Sequence, residues 1–322
     1  MAEGLPVEPV ADPASPGRRP LVPARQAFGR MSIVTDSRTY GDELAVVIVT
    51  YSPGEVLPRL LDSLATATHR RVRAVLADNG STDGVPQREA ERADVDFLPL
   101  GANLGYGGGA NRAVAELDKR FGWVVVSNQD VEYGPGSLDE LLAATERWPR
   151  GGSFGPLIKE PSGQVYPSAR LLPSLGRGAG HALFGKVWPQ NPWTRSYRQS
   201  EAAVAERRAG WLSGSCLLLR REAFESVDGF DPRYFMYMED VDLGDRLGAT
   251  GWLNIYVPTA EITHIGGQAT SRAPARMLVE HHRSTYRYLA DRHKGPLRAP
   301  LRLALRAALA VRAKLEVRAA QK

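Results

Sequence analysis

Two adjacent acids, Glu239 and Asp240, stand in the segment FMYMEDVDLGDRL at 235–247. Acids in the first turn of a helix interact favourably with its dipole, and Asp242 can pair with the arginine four residues later. That accounts for Asp242 and Asp245 but not for the adjacent pair, because neighbouring carboxylates repel each other and point about 100° apart on a helix. Like charge and shelter behind the preceding aromatic residues raise the pKa of a carboxylate toward that of a useful general base. The pair is therefore predicted to supply a base.

A second candidate site is the segment VSNQD at 126–130, which ends a β-branched run in polar residues. Asn128 and Asp130 could face one ligand across a turn, which suits a hard divalent cation that carries phosphates. A cap on the following element is the alternative interpretation of Asp130. His264, in the segment AEITHIGG, could add a nitrogen ligand to the same metal or could be structural.

The glycine-rich segment GANLGYGGGAN at 101–111 contains the spacing of a dinucleotide fingerprint, with Gly105 as its first glycine. It follows the third predicted strand, however, whereas the fingerprint normally opens the nucleotide-binding unit. A loop that exposes its backbone beside a ligand is the second interpretation, with Asn103 and Asn111 as hydrogen-bonding groups. Simple packing of a helix on a sheet is the third.

The elements that must position these residues alternate along the chain. Apolar runs predict strands, and helical periodicity predicts helices between them. The predicted strands are 44–50, 72–78, 95–100 and 123–130, and the predicted helices are 55–67, 85–93 and 107–121. Repeated β-α-β units imply a mostly parallel sheet with right-handed crossovers, so the fold class is α/β.

In open parallel sheets, ligands bind beyond the carboxyl ends of the strands. Polar residues follow the predicted strands at Thr50, Tyr51, Asp78, Asn103 and Asn128. Asp78 opens the segment DNGSTDG, where it could accept a hydrogen bond from a nucleobase or ribose. The same segment could equally be a tight turn with a helix cap.

Composition and charge narrow the class of protein. The chain has 322 residues, a single cysteine and a net charge of +5. One cysteine excludes an internal disulfide framework and suits a reducing compartment. No run approaches the roughly 20 apolar residues that cross a bilayer, and no apolar h-region stands near the first residue, so a cytoplasmic location is expected.

The positive charge is concentrated in the tail. Residues 297–322 contain five Arg and two Lys against one Glu, a local +6, so the rest of the chain carries −1. A basic tail could meet an anionic membrane surface. Nucleic acid is not expected as a partner, because the body of the chain has no basic stripe and no nucleic-acid-binding module.

Changes in composition divide the chain into segments. A Pro-rich, aperiodic leader is predicted at 1–42, and a single domain at 43–293 with halves meeting near residue 150. After residue 150 the sequence predicts a long loop at 160–208, strands at 211–221 and 252–258, short helices between those strands, and a long helix at 274–293. A basic, helix-prone tail occupies 294–322.

The ordered set VIVTY, ADNGSTDG, NLGYGGGAN, SNQD, GWLSGSCLLLRREAFESVDGFDPRYFMYMEDVDL and TH resembles the family 2 inverting glycosyltransferases, which have the nucleotide-sugar-binding GT-A fold. The likeness spans about 44–293. The blocks GPLI, YPSAR, PSL, NPWT, WLSGSCLL and RYFMYMEDVDLGDRL are similar to a branch that moves L-rhamnose from dTDP-L-rhamnose to the 3-hydroxyl of a polyprenyl-diphospho-GlcNAc acceptor in cell-wall (arabinogalactan linker) synthesis.

The resemblance implies a role for each matching residue. Asp240 would be the catalytic base and Glu239 its support, while Asp130 and His264 would hold Mg²⁺ or Mn²⁺. Asn128 stands where the family's metal motif has an acid, which weakens that implication. The expected nucleotide-sugar contacts are Thr50, Tyr51, Asp78, Asn103, Gly105, Asn111, Asn128 and Arg283. The expected acceptor contacts are Trp211, Leu212, Ser213 and Gly214.

Three other classes of protein are consistent with part of the sequence. A dehydrogenase rests on the glycine loop alone, a non-catalytic nucleotide-sugar-binding protein predicts binding without turnover, and a nucleotidyltransferase is a further alternative. The lipid acceptor suggests a role for the basic tail. A tail bound to the inner face of the plasma membrane would keep the enzyme beside its substrate. The alternative is a tail helix that packs on the domain or on a second subunit of a homo-oligomer.

Overall fold

The computed structural model describes residues 43–173, 205–266 and 274–320, all of which belong to one compact unit, Ser37–Lys322. The predicted leader at 1–42 and most of the predicted loop at 160–208 lie outside the described residues, as do the blocks PSL (in part) and NPWT.

The first half builds a parallel sheet. Its elements are β1 (Glu43–Thr50), α1 (Val56–Ala67), β2 (Arg71–Asp78), α2 (Val85–Glu89), β3 (Val95–Pro99), α3 (Gly105–Glu116) and β4 (Trp123–Asn128). Strands β2 and β4 pair in parallel with β1 on either side, and β3 pairs with β2. Alternate residues of β1 are buried in opposite layers, Val46 with the α1 leucines and Val47 with the α3 alanines. Burial on both faces explains why β1 is a continuous apolar run.

The second half extends the same sheet with strands of both directions. Its elements are β5 (Val131–Tyr133), α4 (Ser137–Arg147), β6 (Gly151–Lys159), β7 (Val165–Tyr166), β8 (Ala169–Arg170), β9 (Arg207–Ala209), β10 (Trp211–Leu212), β11 (Cys216–Arg220), α5 (Arg221–Ser226), α6 (Glu239–Ala249) and β12 (Leu253–His264). The strand order along the sheet is β3-β2-β1-β4-β11-β6-β12-β5. Strand β11 runs antiparallel to β4 and β6, and β10 pairs only with β8 in a separate ribbon.

Two helices follow the sheet, α7 (Pro274–Arg292) and α8 (Ala299–Ala320), joined by a 3₁₀ turn at Pro296–Arg298. Helix α7 packs on the segment that precedes α6, where Tyr288 is buried against Tyr234 and Val241. Helix α8 returns antiparallel along α7, since His282 lies 3.5 Å from Glu316 and Arg302 donates to the His293 carbonyl. Among the described helices, none is both long and apolar enough to cross a membrane.

The predicted mostly parallel α/β arrangement is confirmed, and several predicted boundaries are corrected. Helix α2 ends at Glu89 rather than 93, and the predicted strand at 211–221 is two strands, since residues 213–215 leave the ladder. The last strand continues to His264, which is therefore a strand residue. Strand β6 and helix α4 were not predicted. The sequence of β6, GGSFGPLIK, has weak strand propensity. Its conformation is determined by pairing with β11 on one side and with β12 on the other.

Candidate functional site

The acidic pair opens helix α6 from a strained turn. Tyr237 and Met238 both have φ of +67°, a left-handed conformation that is costly for bulky residues and that clusters at functional sites. The turn directs Glu239 inward, where its side chain is 8% exposed. Among the described residues, no group donates to or accepts from Glu239 Oε2. Asp240, the next residue, lies half-buried beside it.

Backbone amides orient the carboxylate of Asp240. Its Oδ2 accepts a hydrogen bond from the Gly214 N–H at 2.9 Å, and its Oδ1 accepts one from the Val241 N–H at 2.8 Å. The Tyr106 hydroxyl donates to the Gly214 carbonyl, which fixes the peptide on the other side. Each carboxylate oxygen retains a second lone pair, so Asp240 can still accept a proton from a substrate.

Burial makes both acids more basic than usual. It raises the pKa of Glu239 to about 8, and the charge of Asp240 adds to that rise. Burial also raises the pKa of Asp240, opposed by the hydrogen bonds from Gly214 and Val241. At neutral pH the carboxyl group of Glu239 therefore holds its proton.

The second polar cluster joins the ends of β4 and β12. His264 Nε2 lies 3.1 Å from Asp130 Oδ1 and 3.2 Å from Asn128 Nδ2, so all three predicted residues meet at one point. On the other side of the ring, Nδ1 lies 3.4 Å from Ser215 Oγ. Ser215 follows Gly214 directly, so the break between β10 and β11 contacts both the acidic pair and this cluster.

The cluster fits a divalent cation. Neighbouring ligands of an octahedral Mg²⁺ at about 2.1 Å from the ion are about 3 Å apart, which matches the separation of Asp130 Oδ1 and His264 Nε2. In the described part of the chain, no third histidine, cysteine or carboxylate completes a metal-ligand group. One or two protein ligands are enough for a Mg²⁺ ion that is shared with substrate phosphates. Turning the Asn128 amide over would present its oxygen to the same point.

The predicted nucleotide contacts at β1 and β2 divide into buried and exposed groups. The Asp78 carboxylate accepts hydrogen bonds from Thr50 Oγ1 and from the backbone and side chain of Ser81. Thr50 is fully buried, so these two residues shape the loop. Tyr51 is 42% exposed, and both polar groups of its backbone are bonded to the Gln129 amide. Its ring is therefore available to a ligand.

The glycine loop packs against protein rather than presenting an empty cradle. Gly105 has a φ of +74°, and a Cβ there would stand 2.0 Å from the Phe235 carbonyl oxygen. Asn103 Oδ1 accepts from the Gly105 N–H, and the Asn111 amide bonds both backbone groups of Phe230. The glycines thus let α3 approach the segment that leads to the acidic pair, and Asn111 ties the two together.

The remaining predicted contacts lie in two places. Leu212 is buried, and the backbone of Ser213 bonds that of Ser168, while the Trp211 indole donates to the Leu171 carbonyl. These residues lead directly into Gly214 and so lie next to Asp240. Arg283 is exposed on α7 and paired with Glu280 at 3.6 Å. Within the described residues, no contact brings it to the acidic pair or to the Asp130 cluster.

Sequence reasoning assigned no role to four residues that position the site. Asn79 bonds the Leu104 N–H and the Gly105 carbonyl, and Gln129 holds Tyr51. Tyr106 and Ser215 support Gly214 and His264. Asn79 follows Asp78 and Gln129 precedes Asp130, so the position of each beside a predicted site residue was the sequence feature that could have indicated its role.

Comparisons with known proteins agree on one family. The model of the family "Glycosyl transferase family 2" matches residues 45–228. An N-acetylglucosaminyl-diphospho-decaprenol L-rhamnosyltransferase of Mycobacterium tuberculosis is 58% identical over 287 residues, covering 86% of this chain and 94% of that protein. A rhamnosyltransferase of Escherichia coli is 25% identical over 76% of this chain and 92% of its own length.

A solved glycosyltransferase structure has a similar fold. The structure of a mannosyltransferase from Pyrobaculum calidifontis, determined with GDP-mannose and Mn²⁺, superposes with a TM-score of 0.53 at 17% identity, covering 86% of this chain and 74% of that one. At this identity the likeness concerns the fold alone, and it confirms the predicted GT-A architecture.

Proposed function

This chain belongs to glycosyltransferase family 2, and on that premise we propose that it transfers L-rhamnose from dTDP-L-rhamnose to the 3-hydroxyl of GlcNAc in a polyprenyl-diphospho-GlcNAc acceptor, for synthesis of the cell-wall arabinogalactan linker. The observation that carries the proposal is the 58% identity to the mycobacterial L-rhamnosyltransferase, which extends over 94% of that protein. The orientation of Asp240 supports the same chemistry.

The reaction is a single displacement with inversion. The acceptor hydroxyl oxygen attacks the anomeric carbon of rhamnose, the bond from that carbon to the dTDP oxygen breaks, and the hydroxyl proton passes to the Asp240 carboxylate. The two backbone hydrogen bonds from Gly214 and Val241 keep that carboxylate in one orientation. Because burial raises the pKa of Asp240, the carboxylate is a better proton acceptor than an exposed aspartate.

Glu239 supports the base by remaining protonated. With a pKa of about 8, its carboxyl group is neutral at neutral pH and does not add a second negative charge beside Asp240. Asp240 can therefore ionise at lower pH than it could beside a charged neighbour. This gives Glu239 a positioning and electrostatic role rather than that of the base.

A divalent cation, Mg²⁺ or Mn²⁺, is proposed at Asp130 and His264, where it would neutralise charge on the departing diphosphate. The 3.1 Å separation of the two ligand atoms supports this assignment. We expect His264→Ala to weaken Mn²⁺ binding about 10-fold or more in a calorimetric titration without substrates. Exposed His69, distant in sequence and on the loop before β2, provides the control variant His69→Ala. Equal Mn²⁺ affinity in the His264 variant and the wild type would exclude the site.

The proposed donor and acceptor contacts are those that the family resemblance implies. Tyr51 offers an exposed ring to the base, with Thr50 and Asp78 shaping the pocket beneath it. The loop carrying Asn103 and Gly105, with Asn111 behind it, would border the nucleotide. Arg283 is the proposed partner of the diphosphate, and it would have to leave Glu280 on α7 to reach that group. Trp211, Leu212, Ser213 and Gly214 would face the acceptor sugar, which the Gly214 bond to Asp240 supports.

Helix α8 is the proposed contact with the inner face of the plasma membrane. Leu301, Val311 and Leu315 are exposed, and with Ala304 and Ala308 they form a stripe about 80° wide on one side of the helix. The exposed side chains of Arg312 and Arg318 lie beside the two edges of this stripe, and exposed Lys314 lies farther round on the Arg318 side. An apolar stripe flanked by cations suits a helix that lies in the plane of an anionic membrane surface.

The decisive experiment measures release of dTDP and of UDP from a panel of nucleotide sugars, with a short-chain polyprenyl-diphospho-GlcNAc as acceptor. We expect release of dTDP from dTDP-L-rhamnose together with a disaccharide product. Preference for a UDP-sugar would replace the proposed donor, and donor binding without any product would identify a non-catalytic nucleotide-sugar-binding protein.

A further inference from the structure

Arg170 is a cation beside the acidic pair to which neither the sequence nor the family comparison assigns a role. It ends strand β8, which pairs with β10 so that Arg170 lies directly across from Trp211. Trp211 begins the run that leads through Ser213 to Gly214, the residue that bonds Asp240. The charge of Arg170 opposes the rise in the pKa of Asp240, in agreement with its position across from Trp211.

The guanidinium of Arg170 is oriented but not neutralised. Its Nε donates to the Pro167 carbonyl at 2.8 Å. The rings of Tyr166 and Trp211 lie 5.4 and 5.7 Å from its central carbon. Within the described residues, it has no carboxylate at ion-pair distance, in contrast to Arg147, Arg221 and Arg246. Its two terminal nitrogens therefore keep a fixed fork of donors.

A planar fork of donors beside two aromatic rings matches the geometry of a phosphate group. The proposed acceptor carries its diphosphate one sugar ring away from the hydroxyl that must reach Asp240. Arg170 lies across from Trp211, at the start of the run that the proposed function assigns to the acceptor sugar.

We propose that Arg170 binds the diphosphate of the acceptor and so sets the distance between the lipid-linked phosphate and Asp240. This inference rests on the proposed function. It assigns to the acceptor a phosphate subsite separate from the metal-binding cluster, and it makes the phosphate, rather than the lipid chain alone, a determinant of acceptor recognition.

The test compares acceptors with and without phosphate. For Arg170→Gln, we expect the KM of a short prenyl-diphospho-GlcNAc to rise about 10- to 100-fold, while the KM of an alkyl GlcNAc glycoside and the KM of the donor stay unchanged. Arg170→Lys keeps the charge but not the fork, so its KM for prenyl-diphospho-GlcNAc should lie between those of the wild type and Arg170→Gln. Arg208→Gln, which removes an exposed arginine stacked on Trp148, is the matched control.

Each other outcome overturns the proposal. An equal loss with both acceptors would identify a structural role, a raised donor KM would place the diphosphate of the donor at Arg170, and unchanged kinetics would leave Arg170 as a surface stacking residue. A binding arm is independent of the sugar: geranyl diphosphate should bind the wild type more tightly than Arg170→Gln by the same factor, and geraniol should not distinguish them. If the wild type makes no product with any GlcNAc acceptor, the proposed function fails, while the geranyl diphosphate comparison still decides the role of Arg170.

Discussion

Asp240 is the residue whose replacement should separate binding from turnover. Asn has nearly the same shape, but its amide nitrogen would face one of the two backbone N–H groups now bonded to the carboxylate, and it cannot accept the acceptor proton. We expect Asp240→Asn to lower rhamnosyl transfer about 10²- to 10⁴-fold and to leave donor affinity intact. Transfer rates and donor binding by calorimetry check this.

Asp245→Asn is the matched control for that experiment. Asp245 lies on the same helix and is paired with Arg292 on α7 instead of facing the site. Its variant should keep the wild-type transfer rate. Substantial turnover by Asp240→Asn, in a protein that still binds the donor, would show that the base is another group.

The burial of Glu239 should make the free energy of unfolding depend on pH, because burial raises the pKa of this carboxyl group. Its pKa is about 8 in the folded protein and about 4.3 in an unfolded chain, so between these values only the folded protein holds the proton. Stability from this group is therefore complete below about pH 4.3 and is lost as the pH rises toward about 8. Glu239→Gln removes this loss, because the amide does not titrate.

We expect the melting temperature of Glu239→Gln, relative to that of the wild type, to increase steadily between about pH 5 and about pH 8. Exposed Glu222 provides the control, and Glu222→Gln should show a difference that does not change with pH. Parallel pH profiles for Glu239→Gln and the wild type would mean that Glu239 titrates as an exposed acid.

At the scale of elements, the contact between α3 and the segment before α6 carries the site. Gly105 and Gly101 both have a φ of +74°, but a Cβ on Gly105 would stand 2.0 Å from the Phe235 oxygen while one on Gly101 would meet nothing within 4 Å. Gly101→Ala therefore lowers the free energy of unfolding only by the cost of the left-handed backbone, about 1 kcal/mol. Gly105→Ala must also push the two elements apart.

We expect Gly105→Ala to lower the melting temperature well beyond Gly101→Ala and to reduce transfer strongly, because the displaced segment carries Glu239 and Asp240. Thermal unfolding and transfer rates of the two variants check this. Similar melting temperatures and rates would show that the backbone around Gly105 and Phe235 can move apart without displacing Glu239 and Asp240.

The elements also show what the sequence could and could not predict. Strand β1 and helix α1 have strong local patterns and were predicted to within a residue or two, and the residues that meet at Asp130 and His264 were identified from motifs. Strand β6 was missed because its glycines and proline become a central strand only through pairing with β11 and β12. The separate position of Arg283 and the packing role of Asn111 depend on tertiary contacts that no local pattern contains.

At the scale of the whole molecule, helix α8 and the segment with the acidic pair belong to one connected unit. Helix α7 contacts the turn before α6 through the hydrogen bond from Ser284 Oγ to the Met236 carbonyl and through His281 against Tyr237. Helix α8 packs on α7 and turns its apolar stripe outward. A membrane that binds α8 would therefore hold the acidic pair at a defined place relative to the lipid surface.

The membrane contact predicts a charge effect that depends on position. Replacing Arg312, Lys314 and Arg318 by Gln should weaken binding to vesicles of phosphatidylglycerol and phosphatidylcholine about 100-fold at low salt, since each cation near the headgroups contributes about 1 kcal/mol. Replacing Leu301, Val311 and Leu315 by Ser should weaken it further, because the apolar stripe then no longer enters the interface. Vesicle sedimentation measures both effects.

The control removes three exposed cations from the body of the domain, by replacing Arg59, Arg112 and Lys119 with Gln. Both triple charge variants have the same net charge, so only the position of the cations differs. If α8 is the contact, the control binds vesicles nearly as well as the wild type, and binding to pure phosphatidylcholine is weak throughout. Equal losses in the two charge variants, or unchanged sedimentation after deletion of 297–322, would mean that α8 packs on protein instead.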